Sequence, residues 1–471
     1  MDEGGQVRLS RREWLGCACG AAAGLVAFGA PSTRDAALAS SPGAPAGDAP
    51  SRDGPPPHRP TRDEVEAVLW RQVLAAWYPR AIEPAGGFHE RFAEDWTPLD
   101  DPSKFLVHQA RQTWTAAAVA LRYPDRREAY LGHARHGLRF LVERMQDRRY
   151  GGFFDTVLPD GRPDPRAAPW KNLYAQAFGI YAAATAHRAT GEPAALELAR
   201  QGFDFLERAM HDAESGGYFE HATFDGTPVL RLDPGRPAAP GVIGNIGQKS
   251  MNAHIHTLEA LTALRQAWAD PLVARRLGEV FRIVRDRIVA DRGHLVMFAA
   301  PDWRPLDQRN SFGHQLETAF LLVEAQEVLG IDDPAERERT RETALRLVDH
   351  SLRFGDDPEH GGFFDEGPPE QPATRRHKIW WVQAEALNGL LTAEALVDRQ
   401  RSDRLRPYQD AFARTWRFFR EKTIDARYGD CFEATDEAGN PLPHRRAKGS
   451  PWKASYHVAR ALMVAAEQLE A

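Results

Sequence analysis

Four short stretches decide the architecture: Gly86-Gly87-Phe88, Gly151-Gly152-Phe153-Phe154-Asp155, Gly216-Gly217-Tyr218-Phe219-Glu220 and Gly361-Gly362-Phe363-Phe364-Asp365. Two degraded copies fill the gaps, Gly293-His294-Leu295 with Phe298, and Gly429-Asp430-Cys431-Phe432-Glu433. The steps between their first glycines are 65, 65, 77, 68 and 68 residues, a spacing that marks six units of nearly equal length. Glycine supplies positive φ in such turns, and the aromatics behind it seal the end of a unit.

The residues between the turns carry a helical period. Leu196, Ala199, Phe203, Leu206 and Met210 recur at three- and four-residue steps, with most of the charge elsewhere. Ala260 to Trp268, Phe320 to Leu329 and Ala384 to Leu396 read the same way, with breaks at Tyr123-Pro124, Gly191-Glu192-Pro193 and Asp332-Asp333-Pro334. Each unit thus holds two helices. Six helix pairs joined by short Gly-aromatic hairpins describe an all-α (α/α)6 barrel, in which closing the ring buries the apolar face that no pair can bury alone. A linear helical solenoid is the competing architecture.

Ahead of this body, Ser10-Arg11-Arg12-Glu13-Trp14-Leu15 and the mild apolar run to Ala30 read as a twin-arginine export signal. Cleavage is expected near Ala37-Leu38-Ala39, or at Ala30. Residues 1–39 are therefore the signal, 40–60 a Pro- and Ala-rich linker with no means of burying a core, and 61–471 the catalytic domain. The reading implies a periplasmic or extracellular product with no membrane span. Charge is balanced, 60 Lys and Arg against 66 Asp and Glu, and no basic segment marks a nucleic-acid partner. Beyond Cys17 and Cys19 in the signal, Cys431 stands alone, which excludes an internal disulfide and a thiolate metal cluster.

Polar and aromatic residues gather on the helices expected to line the ring. Asn252 and His256 lie four apart on one face, with His254 turned away as a packing or surface residue. His314 and Glu317 lie three apart. Trp452 and His457 come near the C-terminus, Arg111 adds a cation, Trp380 and Trp381 adjacent aromatics, and Tyr174 a phenol that the core could equally claim. His-x-x-Glu is also half of some metal sites, but the second carboxylate set of a dinuclear centre is missing. No Gly-rich phosphate loop opens a helix, so a nucleotide cofactor is not indicated.

Three histidines from separate units suit proton transfer. Moving a proton on and off the C2 carbon of a sugar calls for groups titrating near neutrality. Two imidazoles on opposite faces of a planar enediolate would remove and return it, a nearby arginine would stabilise the oxyanion, and tryptophan faces would carry the pyranose.

The segments Asn252–Leu261, Gly313–Leu322, Lys378–Leu387 and Trp452–Arg460 together resemble the N-acylglucosamine 2-epimerase superfamily. The stretch from Met251 to Gly330, with its Asp302-Trp303-Arg304-Pro305 turn, is closest to the cellobiose 2-epimerase branch. The resemblance implies an (α/α)6 barrel and a sugar 2-epimerase or aldose–ketose isomerase that needs no metal or nicotinamide. It also implies site roles: His314 and His457 as the acid–base pair, Asn252 and His256 near the reacting carbons, and Glu317 supporting His314. Arg111 falls beside the enediolate, Tyr174 lines the cavity, and Trp381 (or Trp380) and Trp452 contact the sugar. Gln315-Leu316 stands where that branch usually has Asp-Ile, Phe320 where Trp is common, Val382 for Pro, and Ala454-Ser455 for Cys-Pro, which bears on substrate rather than chemistry. The Gly/Pro-rich loop Leu232–Gly247 is expected as a lid. Two other classes fit the same toroid: a glycoside hydrolase or lyase using carboxylates such as Asp155, Glu220 or Asp365, and an inactive sugar-binding protein. The sugar and the oligomeric state are not legible.

Overall fold

The computed structural model describes residues 58–231, 246–398 and 401–470. The signal, nearly all of the linker and all but the last two residues of the expected lid lie outside them. No helix among the described residues is long and apolar enough to cross a membrane.

Among the described residues six inner helices line the ring: α2 (Leu106–Arg122), α4 (Leu173–Thr190), α6 (Met251–Ala267), α8 (Phe312–Leu329), α10 (Trp380–Leu396) and α12 (Tyr456–Glu470). They are apolar on nearly every side, as helices enclosed on all faces must be. Six outer helices cover them: α1 (Arg62–Val68, running on through Leu69–Leu74 to Trp77), α3 (Arg127–Phe140), α5 (Pro193–Ala209), α7 (Pro271–Ile283), α9 (Pro334–Phe354) and α11 (Ser402–Phe418). These bury one stripe; in α5 it is Ala195, Leu198, Ala199, Gly202, Phe203 and Leu206, with charge outside. Neighbouring inner helices pack in chain order, and α12 touches both α10 and α2, so the ring closes and the linear solenoid is excluded. The α1 helix covers α12 from outside.

Boundaries follow ordinary capping chemistry. Asp270 accepts Leu272 N at 2.7 Å to open α7, and Asp333 accepts Glu336 N at 2.9 Å to open α9, each with Pro at the first helical position. Gly191 and Gly330, in left-handed conformation, stop α4 and α8.

Inner-to-outer links are short, whereas outer-to-inner links carry the Gly-aromatic hairpins, all at one end. These hairpins form a second ring. The strand just ahead of one inner helix pairs antiparallel with the next unit's hairpin: Lys104↔Val157, Lys171↔Ala222, Lys249↔Ala299, Asn310↔Gly367 and Lys378↔Thr435. A bridge between Phe92 and Gly449 makes the sixth coupling, across the seam.

A buried lysine pins most of the turns. Lys171 Nζ donates to Asp147 Oδ2 at 2.7 Å, Lys249 to Asp212 and Lys378 to Asp357 at the same distance, and each also reaches the first glycine's carbonyl. In α2, α4, α6, α8 and α10 the fourth residue grips the turn of its own unit. Gln109, Gln176 and Gln383 accept the N–H of Phe88, Phe153 and Phe363 at 2.7–2.8 Å. His254 does this for Tyr218, which explains its complete burial as a packing residue. Closeness forces the glycine: a Cβ on Gly152 (φ +68°) would stand 2.7 Å from Gln176 Oε1. Where the fourth copy has degraded, Asn310 replaces the lysine and accepts Leu295 N directly.

Candidate active site

The wheel that sends position four of the first five inner helices toward the hairpins sends positions two, three and six toward the axis. Arg111, Phe178, His256, Glu317 and Glu385 each stand sixth in α2, α4, α6, α8 and α10. Counted from Ser455, Arg460 is the sixth residue of the last unit. His314 and His457 are both third, and Tyr174, Asn252 and Trp381 second. One layer of the ring thus gathers chemistry from all six units.

Trp381 touches both third-position histidines, its ring centroid 4.6 Å from that of His314 and 5.6 Å from that of His457. His457 Nδ1 lies 2.7 Å from Glu385 Oε1. His314 Nδ1 lies 2.7 Å from the Ser311 hydroxyl. The third histidine, His256, pairs Nδ1 with Glu259 Oε2 at 3.0 Å and packs between Tyr174 and Phe178. Arg111 donates to the Trp452 carbonyl and, at 2.8 Å, to the Tyr174 hydroxyl, with its guanidinium 4.6 Å from the Phe178 ring. Trp452 leans on Phe105 and lies 6.2 Å from Tyr174. Asn252, His314, Trp381 and Trp452 are the half-buried members, so they form the accessible side of the cluster.

Beneath it lies a buried ion network. Arg460 donates to Glu259, Glu317, Glu385 (Oε1, 2.7 Å) and the Tyr456 hydroxyl, which itself donates to Glu259. Burial would raise Glu259, but Arg460, His256 and Tyr456 together pull it down to about 2. Burial raises Glu385 above the usual carboxylate range against the pull of Arg460. Burial also lowers His314, to about 4, and takes His457 well below its ordinary value, so both imidazoles are neutral at pH 7. Among the described residues, four side-chain atoms of these groups have no hydrogen-bond partner: Asn252 Oδ1, Glu317 Oε2, Arg111 Nε and Arg460 Nε.

Two sequence expectations need correction. Glu317 makes no hydrogen bond to His314: its carboxylate accepts from Arg460, the Ser311 hydroxyl engages the imidazole, and Glu317 acts on His314 only through its charge, which favours the protonated ring. Trp380 stands apart from the cluster. As first residue of α10 it is buried in the core with Lys453 over its ring, and Trp381 takes the cavity side. The acids of the Gly-aromatic turns are committed to structure: Asp155 accepts Asn172 N at 2.8 Å, Glu220 accepts Ser250 N at 2.6 Å, and Asp365 pairs with Arg375. Glu317, Glu385 and His457 offer ligand atoms within 4.8 Å of one another, as a metal site would. The Arg460 guanidinium already bonds both carboxylates, so the positive charge a cation would bring is in place.

The sequence profile of the N-acylglucosamine 2-epimerase (GlcNAc 2-epimerase) family matches residues 86–231 and 241–461. The chain belongs to that family. Cellobiose 2-epimerase of Bacteroides fragilis is 28% identical over 408 residues, which cover 85% of this chain and 97% of that protein. D-mannose isomerase of Marinomonas mediterranea is 24% identical over 401 residues, 82% of this chain and 92% of its own. The solved structure of cellobiose 2-epimerase from Spirochaeta thermophila superposes with a TM-score of 0.74 at 33% identity, covering 87% of this chain and 96% of that one.

For this N-acylglucosamine 2-epimerase family member, sequence reasoning misses Ser311, Glu259, Glu385 and Arg460. The signal was present: His256/Glu259 and His457/Arg460 sit three apart, and Trp381/Glu385 four apart, on the faces that carry the recognised residues.

Proposed function

We propose that this member of a family of sugar epimerases and isomerases acts on the open chain of a free reducing mono- or disaccharide, such as cellobiose or mannose, through a cis-enediolate. The observation that carries this reading is the placing of His314 and His457 against one tryptophan, each with Nδ1 engaged and its ring neutral. A neutral imidazole is the form that accepts a proton. One neutral imidazole takes the C2 proton and becomes imidazolium. The other takes up a solvent proton and delivers it to the opposite face to give the 2-epimer, and the first ring returns its proton to solvent, so both end neutral. Protonation at C1 instead gives the ketose, with the same atoms and no net gain of protons.

Arg111 supplies positive charge for the enediolate oxygen, while Asn252 and His256 bind close to the reacting carbons and assist ring opening. The unpartnered Asn252 Oδ1 and Glu317 Oε2 are acceptors suited to sugar hydroxyls, and Arg111 Nε is a donor. Trp381 and Trp452 offer apolar faces to the pyranose. We further infer that the twin-arginine segment exports the folded enzyme; fusion of residues 1–60 to a reporter would place that reporter outside the cytoplasm only while Arg11 and Arg12 are intact.

The test is proton NMR of the purified body, residue 58 onward, in D2O with cellobiose, mannobiose, mannose, glucose and N-acetylglucosamine. Loss of the C2 proton with a new epimer or ketose is the expected result and names the sugar. Monosaccharides released from a disaccharide with C2 still protonated would sink the reading in favour of hydrolysis.

A further inference from the structure

Two of the three histidines in the layer rest on a carboxylate, and both carboxylates rest on one guanidinium. His256 is backed by Glu259 and His457 by Glu385, at 3.0 and 2.7 Å. Arg460 forks between them, Nη1 toward Glu259 and Nη2 toward Glu385 and Glu317. All of these side chains are at least nine-tenths buried. We propose that Arg460 is a positioning residue that sets the tautomer of both histidines: by keeping Glu259 and Glu385 ionised it makes their Nδ1 partners donors and leaves Nε2 as the basic nitrogen. This rests on the epimerase/isomerase reading for its catalytic consequence.

The argument turns on one oxygen. Glu385 Oε1 receives the Arg460 N–H at 2.7 Å and faces His457 Nδ1 at 2.7 Å. An oxygen accepting a charged guanidinium N–H is a poor carrier of a proton, so the hydrogen in the second contact belongs to the imidazole. Without Arg460 three carboxylates would share the interior with no cation among them, and like charges so close do not all stay ionised. Burial already pulls Glu385 toward its protonated form, and Arg460 is the main force opposing it. A protonated Glu385 would donate to Nδ1 and move the ring hydrogen to Nε2. The nitrogen that should accept the substrate proton would then already hold one. A guanidinium suits this task because its fork reaches both carboxylates at once, whereas an ammonium reaches them as a point charge.

The alternative is that Arg460 only stabilises the fold, and the two roles separate in a tautomer measurement. Protein carrying 15N-histidine gives long-range nitrogen–proton correlations that distinguish Nδ1–H from Nε2–H, with His457 assigned by its loss in His457→Gln. The wild type is expected to show Nδ1–H at His457. Arg460→Met, and Arg460→Met/Glu317→Gln, which removes one acid with the cation and is the better folder, are expected to show Nε2–H. Their C2-exchange kcat should fall by about 100-fold or more, with KM within about threefold. Arg460→Lys should keep the wild-type tautomer and lose about tenfold or less. A folded double variant that retains Nδ1–H, or that shifts to Nε2–H with kcat unchanged, overturns the proposal. Absence of C2 exchange in the wild type with every sugar overturns the functional reading instead, and the tautomer spectra still decide whether Arg460 sets the histidine hydrogens.

Discussion

At the scale of single residues, the polar layer of the ring is a set of acids and bases tuned by burial. His314, lowered to about 4 by its apolar enclosure, is protonated only well below neutrality. The acid limb of kcat/KM for C2 exchange is therefore expected below pH 5, not near 6.5 where an exposed imidazole titrates; a profile from pH 4 to 8 checks it, and a limb near 6.5 would mean that neither His314 nor His457 is the base. The paired tryptophans give a second contrast. Trp381→Leu should raise KM or lower kcat by tenfold or more with little change in Tm, because its ring meets both histidines. Trp380→Leu should do the reverse, lowering Tm with kinetics near wild type, because it packs in the core. Which of the two faces the sugar could not be read from the chain: both begin an inner helix, and a one-residue step turns the side chain through about 100°. His314, His457, His256 and Arg111 were legible because charged or titratable residues on an apolar helix need a reason to be there. Arg460 carries the same signal, three residues after His457, but its role was not legible, since the acids it bonds come from three other units.

At the scale of elements, hairpins and inner helices hold one another through repeated polar contacts. The glycine pairs that reveal the repeat are visible in the chain. The lysine and glutamine that clamp them lie some 20 residues downstream and look like ordinary surface residues. Only pairing across the hairpin ring shows that Lys171, Lys249 and Lys378 are fully buried ions. The turn carboxylates belong to this clamp as well. Glu220, buried against the start of α6, is raised to about 8 by burial. A carboxyl raised in the folded state contributes stability that is complete below its unfolded value and fades as pH rises through its folded one. Wild-type Tm should thus fall between pH 6 and 9 more steeply than that of Glu220→Gln, whose amide oxygen can still accept Ser250 N. The difference is expected to be on the order of 2 °C by pH 9, measured by calorimetry in matched ionic strength. Parallel slopes for the two proteins would show that Glu220 is ionised in the native state.

At the scale of the whole molecule, the six-unit plan was readable from spacing alone, since equal steps and two helical periods per step leave few closed arrangements. Strand pairing between units escaped because each strand is only two or three residues long, too short to carry a period. The closure itself has one asymmetry. Five units join helix to helix along the chain, whereas the sixth is assembled from α1 and α12, the first and last helices described. Trp77 at the end of α1 lies beside Lys453, just before α12, while earlier in α1 Trp70 packs on Tyr123, whose neighbour Arg122 pairs with Glu467 near the end of α12. The two helices therefore run antiparallel, and the end of α12 comes back to the beginning of α1. The order of the units in the polypeptide is then incidental to the ring. A circular permutant that links the end of α12 to the start of α1 through a short flexible segment, and reopens the chain at Gly191, should fold to the same helical content and keep C2-exchange activity within a few-fold. Loss of folding on that rearrangement, with the linker alone tolerated, would mean that the seam must form from separate ends. Retention would mean that the ring has no first unit.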